Sequence, residues 1–379
     1  MKNKKLLFDL EVTQPTDGSK RHGGGIYGEI VFKRMFSLGK NVVAFYNSSK
    51  WFNPEMKSFC DSNGIPLIDR RGKTLREIVG SVSPDIIYTP LITKEFVAID
   101  FDNKWTTLHG LRALELPYND SFFYKYNQTW KNHVKNVLMN YLPQFYKKKL
   151  LKQFEHYTNC NFIAVSNHSR IAFNCYFPDY HREIKTFYSP STTDNRPMLT
   201  ERKFNEKYFL MVSGKIWYKN NLRAIIALDR LFSTGQLSKE YRVIVTGVNS
   251  PENLKYKLKN PDCFKLLGYI DDDELEQYYH DAYCFIYPSL NEGFGYPPLE
   301  AMRYGIPVLA SPVTSIFEVL GDSAIYFNPF SIEEIMGRVL AITTGDNHDV
   351  YSAKSFDRYN LITTRQQQDL DNFISYIFS

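Results

Sequence analysis

The chain has 379 residues, of which 43% are hydrophobic and 23% charged, and its 46 basic and 41 acidic side chains leave a formal charge of +5. That length favours two domains with separate cores, and the composition excludes wholesale disorder. So mild a basic excess gives no sign of a nucleic-acid binder.

Met1–Lys5 opens with lysines and runs into a strand-like stretch, and no apolar run reaches the length of about 18 residues that a spanning helix needs. Neither a cleavable signal peptide nor a membrane span is expected. Five cysteines (Cys60, Cys160, Cys175, Cys263, Cys284) show no CxxC spacing, which fits thiols in a reducing cytosol better than a disulfide framework or zinc site.

The first predicted strand is Leu6–Leu10. His22-Gly-Gly-Gly-Ile-Tyr-Gly28 follows and opens a helical pattern. Consecutive glycines, Gly24 and Gly25 among them, suit close backbone approach to a phosphate or an acceptor, or a flexible loop tip. Gly23, Gly25 and Gly28 match G-x-G-x-x-G only within an extra-glycine run. The next strand, Asn41–Tyr46, ends without an acid, which argues against a dehydrogenase. Strands are also predicted at Asp85–Tyr88, Trp105–Leu108 and Asn161–Val165. Between them Asp100-x-Asp102 has the form of a divalent-metal site, but an exposed loop before the Trp105 strand is the expected role. His109 directly follows the Trp105 strand and precedes Gly110, a place suited to a cleft as well as to packing. Ser121–Phe154 carries seven lysines, no Asp or Glu, and interleaved Phe, Tyr and Trp. Long helices with a buried aromatic face explain it first, an anionic membrane surface second, and single-stranded nucleic acid a distant third. Ser166, in Val165-Ser-Asn-His, suits a helix N-cap.

Tyr188–Pro197 is rich in turn residues and reads as an interdomain linker. Beyond it, strands are predicted at Tyr208–Val212, Tyr241–Val245, Phe264–Leu267, Tyr283–Tyr287, Pro307–Ala310 and Ala324–Phe327. Helical patterns lie between them, at Asn221–Phe232, Asp272–His280 and Ile332–Ile342. Asp271–Asp273 is an acidic helix start that needs no metal. This alternation predicts two α/β domains with parallel sheets, residues 1–187 and 198–360. Residues 361–379 form a last helix packing back towards the first domain. Sites then belong in strand-to-helix loops, in a cleft between the domains.

The richest loop is Tyr287-Pro-Ser-Leu-Asn-Glu-Gly-Phe-Gly-Tyr-Pro-Pro-Leu-Glu-Ala-Met302. Prolines at a helix start, Gly293 and Gly295 for close approach, and an acid at each of Glu292 and Glu300 suit a phosphate ligand held at a helix amino end. The plainer alternative is a capping box, Ser289-x-x-Glu292.

Glu292-x7-Glu300 in this context resembles the signature of family-four retaining glycosyltransferases of the GT-B fold. The likeness continues in Gly268–Leu275, Gly305–Ser311 and Phe317–Asp322. It is dense over about residues 208–330 and thin before them. The resemblance implies two Rossmann-like domains facing across a cleft, the first for the acceptor and the second for the nucleotide-sugar. It places Glu292 and His109 at the transferred sugar and Glu300 on the ribose hydroxyls. Lys215 and Lys219 fall on the diphosphate, beside Gly214, Gly293, Phe294 and Gly295, with Asn220 the alternative to Lys219 if no residue is skipped. Gly24 and Gly25 resemble the family's first glycine loop. The implied protein is a metal-independent, cofactor-free hexosyltransferase, cytoplasmic or peripheral on the inner membrane face. It would move a sugar from a GDP-mannose-like or UDP-sugar donor to a glycan or lipid-linked acceptor in surface polysaccharide or glycoconjugate synthesis. A non-catalytic nucleotide-sugar or membrane-surface binding protein is the alternative. No nucleic-acid partner is expected.

Overall fold

Runs of β-branched and aromatic residues, buried on both faces, form two all-parallel sheets in a computed structural model of the chain. The structure describes residues 4–15, 22–118, 120, 122, 130, 134, 137, 141–193, 197–254 and 256–379, with only the backbone at 143, 145–147, 150, 153, 155 and 156.

The first sheet contains β1 (Lys5–Asp9), β2 (Asn41–Tyr46), β3 (Leu67–Asp69), β4 (Ile86–Thr89), β5 (Lys104–Leu108), β6 (Asn161–Ala164) and β7 (Lys185–Thr186). Its order is β3-β2-β1-β4-β5-β6-β7, with Leu7 paired to both Val43 and Ile87. The second contains β8 (Lys207–Met211), β9 (Tyr241–Thr246), β10 (Phe264–Leu267), β11 (Cys284–Tyr287), β12 (Val308–Ala310) and β13 (Ala324–Tyr326), in the order β10-β9-β8-β11-β12-β13. Each sheet changes direction once, between β1 and β4 and between β8 and β11. At such a switch point the loops leaving the strands diverge and open a crevice at the carboxyl ends. The α/β, Rossmann-like expectation therefore holds. Two strands were not anticipated, β3 and β7, both short edge strands whose few residues show no alternation.

Contacts divide the chain into two units, one of Met1–Leu111, Leu151–Asp194 and Thr363–Ser379, the other of Arg112–Leu150 and Asn195–Ile362. The boundaries differ from 1–187 and 198–360 because Arg112–Leu150 groups with the second sheet. A buried fork explains part of this: Arg223, on the Asn221–Ser233 helix, donates to both oxygens of Asp120 at 2.6 and 2.8 Å. The guanidinium also lies over the Phe122 ring, 3.8 Å from its centroid. Ser121 itself, and most of the aromatic and lysine residues up to Asn140, lie outside the described residues, while Pro143–Phe154 is helical.

The end of the last helix, Asn347–Phe378, belongs to the first unit from Thr363 onward. There Arg34 donates to both oxygens of Asp371, and Phe373 packs on Tyr88. The same helix covers the turn-rich stretch expected to be a linker. Asp369 accepts from Tyr188 N at 2.8 Å, and Tyr188, Ser189, Ser191 and Thr193 are buried, whereas Asp194–Arg196 lie outside the described residues. All five cysteines are free thiols. No helix among the described residues is long and apolar enough to cross a membrane.

Candidate active site

In the second unit, the loops leaving β8 and β11 meet at the switch point. The β8 loop begins with Ser213 at φ 61° and ends with Asn220 at φ 60°, both left-handed. Asn220 is 2% exposed and donates to the carbonyls of Pro288 and Pro329 at 3.0 and 2.8 Å, so it fastens three loops. It therefore has no amide hydrogen left for a ligand. Lys219 instead reaches into the site, its Nζ 2.7 Å from Glu292 Oε1 and 2.9 Å from the Tyr287 hydroxyl. Of the two alignments, the geometry favours Lys219 as the cation.

Glu292 is 7% exposed, in a loop with no helix before Tyr296. The capping box is therefore absent, yet its hydrogen bond survives in another form: Ser289 Oγ donates to Glu292 Oε1 at 2.5 Å. Burial alone would raise the Glu292 pKa, but the Lys219 charge and hydrogen bond, with Ser289 and Arg112, hold it below the usual carboxylate range. The buried group is thus an ion pair. An ammonium carries three N–H donors, and two of those on Lys219 are committed to Glu292 and Tyr287, leaving one for a ligand.

The backbone of this loop is held from below. Glu292 N donates to Thr314 Oγ1 at 3.0 Å, and Ser315 Oγ lies 3.0 Å from the carbonyls of both Glu292 and Phe294, so its single proton serves one of them at a time. Thr314 has φ 51° and ψ −126°, a conformation rare for a β-branched residue and one that marks stored strain. Arg112 donates to the Tyr218 hydroxyl at 2.8 Å, and Asn291 to Glu115 at 3.0 Å. Sequence reasoning missed Tyr287, Thr314, Ser315 and Arg112. Tyr287 at a strand end was within reach of it; nothing in the sequence marks Thr314.

The other expected residues divide. Lys215 is exposed. Gly214 is buried, and a Cβ there would come within 2.7 Å of the Val248 side chain, so its glycine serves packing. Gly293 is half-buried in the loop and Phe294 is buried. Gly295, at φ 108°, needs no Cβ in order to start the Tyr296–Met302 helix. That helix end offers fewer donors than expected, because Pro297 and Pro298 lack N–H groups. Glu300 is half-exposed and hydrogen-bonded with the buried Tyr279 hydroxyl.

In the first unit the glycine run is helical from Gly23, capped by His22, whose Nδ1 accepts from Gly25 N at 3.0 Å. A Cβ on Gly25 would sit 2.7 Å from the Thr13 carbonyl oxygen, and one on Gly24 would press on Leu91. Neither a flexible tip nor, at Gly25, an open ligand platform is present: that space is filled by protein. His109 Nε2 is 3.0 Å from the Pro90 carbonyl, which can only accept, so Nε2 carries the proton. Its ring stands edge-on to Tyr27, centroids 4.7 Å apart.

At the end of β1, Asp9 is 4% exposed and its pKa is pushed up to about 7 by burial. Thr89 Oγ1 lies 2.8 Å from the Leu91 carbonyl and 3.1 Å from Asp9 Oδ2, yet a hydroxyl has one proton. A protonated Asp9 donating to Thr89 satisfies both contacts. Asp100 and Asp102 are exposed in their loop, Asp271 caps the Asp272–Asp281 helix, and Ser166 caps the Asn167–Tyr176 helix. Among the described residues no three His, Cys, Asp or Glu side chains gather as metal ligands.

Residues 199–354 match the family described as Glycosyl transferases group 1. This stretch is a group 1 glycosyltransferase domain. The chain is 34% identical over 134 residues to the serotype-specific mannosyltransferase WbdA of Escherichia coli, covering 34% of this chain and 16% of that relative. It is 30% identical over 156 residues to the O-antigen chain mannosyltransferase B of Escherichia coli, covering 40% of this chain and 41% of the relative. The chain thus spans well under half the length of these curated relatives. Across its full length it superposes on a glycosyltransferase from Rickettsia africae with a TM-score of 0.66 at 18% identity, covering 100% of both chains. That likeness establishes the GT-B type of fold for both sheets.

Proposed function

We propose that the chain is a hexosyltransferase that takes a sugar from a nucleotide-sugar, GDP-mannose-like or UDP-linked, and delivers it to a glycan or lipid-linked acceptor in surface polysaccharide or glycoconjugate synthesis. The observation that carries this reading is the buried Lys219–Glu292 pair at the switch point of a group 1 domain. The names of the curated relatives, both mannosyltransferases, favour mannose.

In this reading the third N–H of Lys219, with exposed Lys215, meets the donor diphosphate and offsets the charge that grows on it as the sugar leaves. Glu292, fixed by Ser289 and Lys219, faces the sugar. Glu300 accepts from the ribose hydroxyls as a charged hydrogen-bond partner. His109 stands with Glu292 at the transferred sugar, and Gly24 and Gly25 let the chain approach the donor. The sugar keeps its anomeric configuration through same-face attack, and cationic side chains serve in place of a divalent metal. The lysines of residues 121–154 contact an anionic membrane, which liposome sedimentation of a Lys147/Lys148/Lys149→Glu variant tests.

The decisive experiment is thermal stabilisation by GDP, UDP and ADP, followed by turnover with the matching sugar nucleotides in EDTA and in Mn²⁺. A binding protein without activity would shift its melting temperature with a nucleotide and yet turn over none of the donors. Loss of activity in EDTA, with rescue by Mn²⁺, would overturn the metal-free reading.

A further inference from the structure

The first unit holds a cavity of about 400 Å³ that nothing above uses. It lies at the carboxyl ends of β1, β2 and β3, where open parallel sheets take their ligands. It is lined by Glu11, by Asn47 and Ser49, and by the turn Arg70-Arg71-Gly72-Lys73. Gly72, at φ 71°, makes that turn possible, and Lys73 N closes it on the Arg70 carbonyl at 2.9 Å.

The charges lining the cavity are not equally available. Glu11 accepts from Lys50 and Asn47 on Oε1, at 2.8 and 3.1 Å, and from Arg70 on Oε2 at 2.6 Å. Arg70 is held a second time by Glu95 at 2.6 Å. These groups neutralise one another and form a rigid base. The helix that follows is closed too, since Thr74 N and Oγ1 both donate to Glu77. Two cations remain. Arg71 gives only Nε to Asp69, at 3.0 Å, so both its terminal nitrogens are uncommitted among the described residues. The Lys73 ammonium has no hydrogen-bond or ion-pair partner among them, although its charge is felt by Glu77. The cavity therefore offers a fork and a point charge as donors, and its only lining carboxylate is already engaged by three donors. That asymmetry fits a ligand of concentrated negative charge with several acceptor oxygens, and does not fit a neutral hydroxyl compound.

We propose that this cavity binds a phosphate group, with Arg71 and Lys73 as its ligands; the Ser49 hydroxyl is spent on Asn47 Oδ1 at 2.6 Å. It belongs to the first unit, whereas Lys219 and Glu292 belong to the second. Assigning the phosphate to the acceptor rests on the transferase reading; the phosphate site itself does not. The phosphate comes either from a soluble sugar ester or from an isoprenoid lipid.

The test uses the full chain with three probes, mannose 6-phosphate, farnesyl phosphate and neutral methyl α-mannoside, followed by calorimetry. Both phosphates bind the parent protein, and Arg71→Gln/Lys73→Gln weakens them about tenfold or more, as the loss of charge-assisted hydrogen bonds requires. Lys219→Ala leaves them unchanged. Tighter binding of the farnesyl ester identifies a lipid source, and tighter binding of the sugar ester a soluble one. Absence of phosphate binding in the parent, equal binding in parent and double variant, loss in Lys219→Ala instead, or equally strong binding of methyl mannoside would each overturn the proposal. GDP and UDP affinity, measured on the same samples, reports separately on the donor site. Arg71 and Lys73 are both exposed, so the double variant retains the fold, which its melting temperature verifies.

Discussion

The strand-end loops of the two sheets deal with burial in opposite ways. After β8 and β11, Lys219 and Glu292 go into the interior as ions, each answering the other. After β1 and β5, burial is met by neutrality and packing. Asp9 has its pKa pushed up to about 7, His109 is tied to a carbonyl, and Gly25 is glycine because Thr13 occupies the space of a Cβ. A carboxylate removed from water either finds a cation or takes up a proton, and the molecule shows both solutions. A glycine at a helix start, by contrast, says little about ligands until its neighbours are known.

The largest effect should come from the fork that draws residues from Arg112 onward to the second sheet. Arg223→Ala leaves Asp120 buried without its cation, which costs about 3–5 kcal/mol. Denaturant unfolding of Arg223→Ala, Asp120→Ala and the double variant checks this, and strictly additive losses would show that the fork holds nothing.

Next comes the ion pair. Glu292→Gln should lower kcat roughly 10²–10³-fold, the scale of one preorganised electrostatic contact. Because it releases Lys219, affinity for the bare nucleoside diphosphate should hold or rise. Calorimetry beside steady-state kinetics checks both, and a large loss of diphosphate affinity would place Glu292 at the wrong end of the donor.

Asp9 sharpens the opposite side. Its raised pKa means that the protonated form stabilises the fold fully below about 4, and that this contribution is lost as pH rises through about 7. The fall should be on the order of 2–4 kcal/mol between pH 4 and 8. Asp9→Asn, which imitates the protonated side chain, should remove that fall. Parallel slopes in parent and variant would mean that Asp9 is ionised throughout.

Glu300→Ala should have the smallest effect, about 1.5–3 kcal/mol of nucleotide affinity, the value of one charged hydrogen bond. Equal affinity for the ribo- and 2′-deoxyribonucleotide in the parent would remove Glu300 from the ribose.

Both sheets were legible because their strands are unbroken hydrophobic runs, such as Phe209–Met211 and Val42–Phe45. The edge strands β3 and β7 escaped because a few pairing residues carry no pattern. Glu292 was legible from its motif, since loop glycines and helix-start prolines are local. The partners that set its charge were not, because Lys219 comes from a loop 73 positions earlier in the chain. Nor did the sequence show that Asn220 spends both amide hydrogens on the carbonyls of Pro288 and Pro329, which lie more than sixty positions away. The grouping of Arg112–Leu150 with the second sheet was illegible for the same reason, since the bonds from Asp120, Arg112 and Glu115 to that unit are all long-range.

Thr314 has a consequence for anyone who tries to make this protein sturdier. Its backbone conformation stores about 1–3 kcal/mol, and glycine would release it. The same change discards the hydroxyl that accepts Glu292 N–H, loosening the carboxylate one residue-length away. A search for heat-stable variants would therefore gain little at Thr314, because the strain that glycine releases is offset by the Glu292 N–H it leaves unpaired.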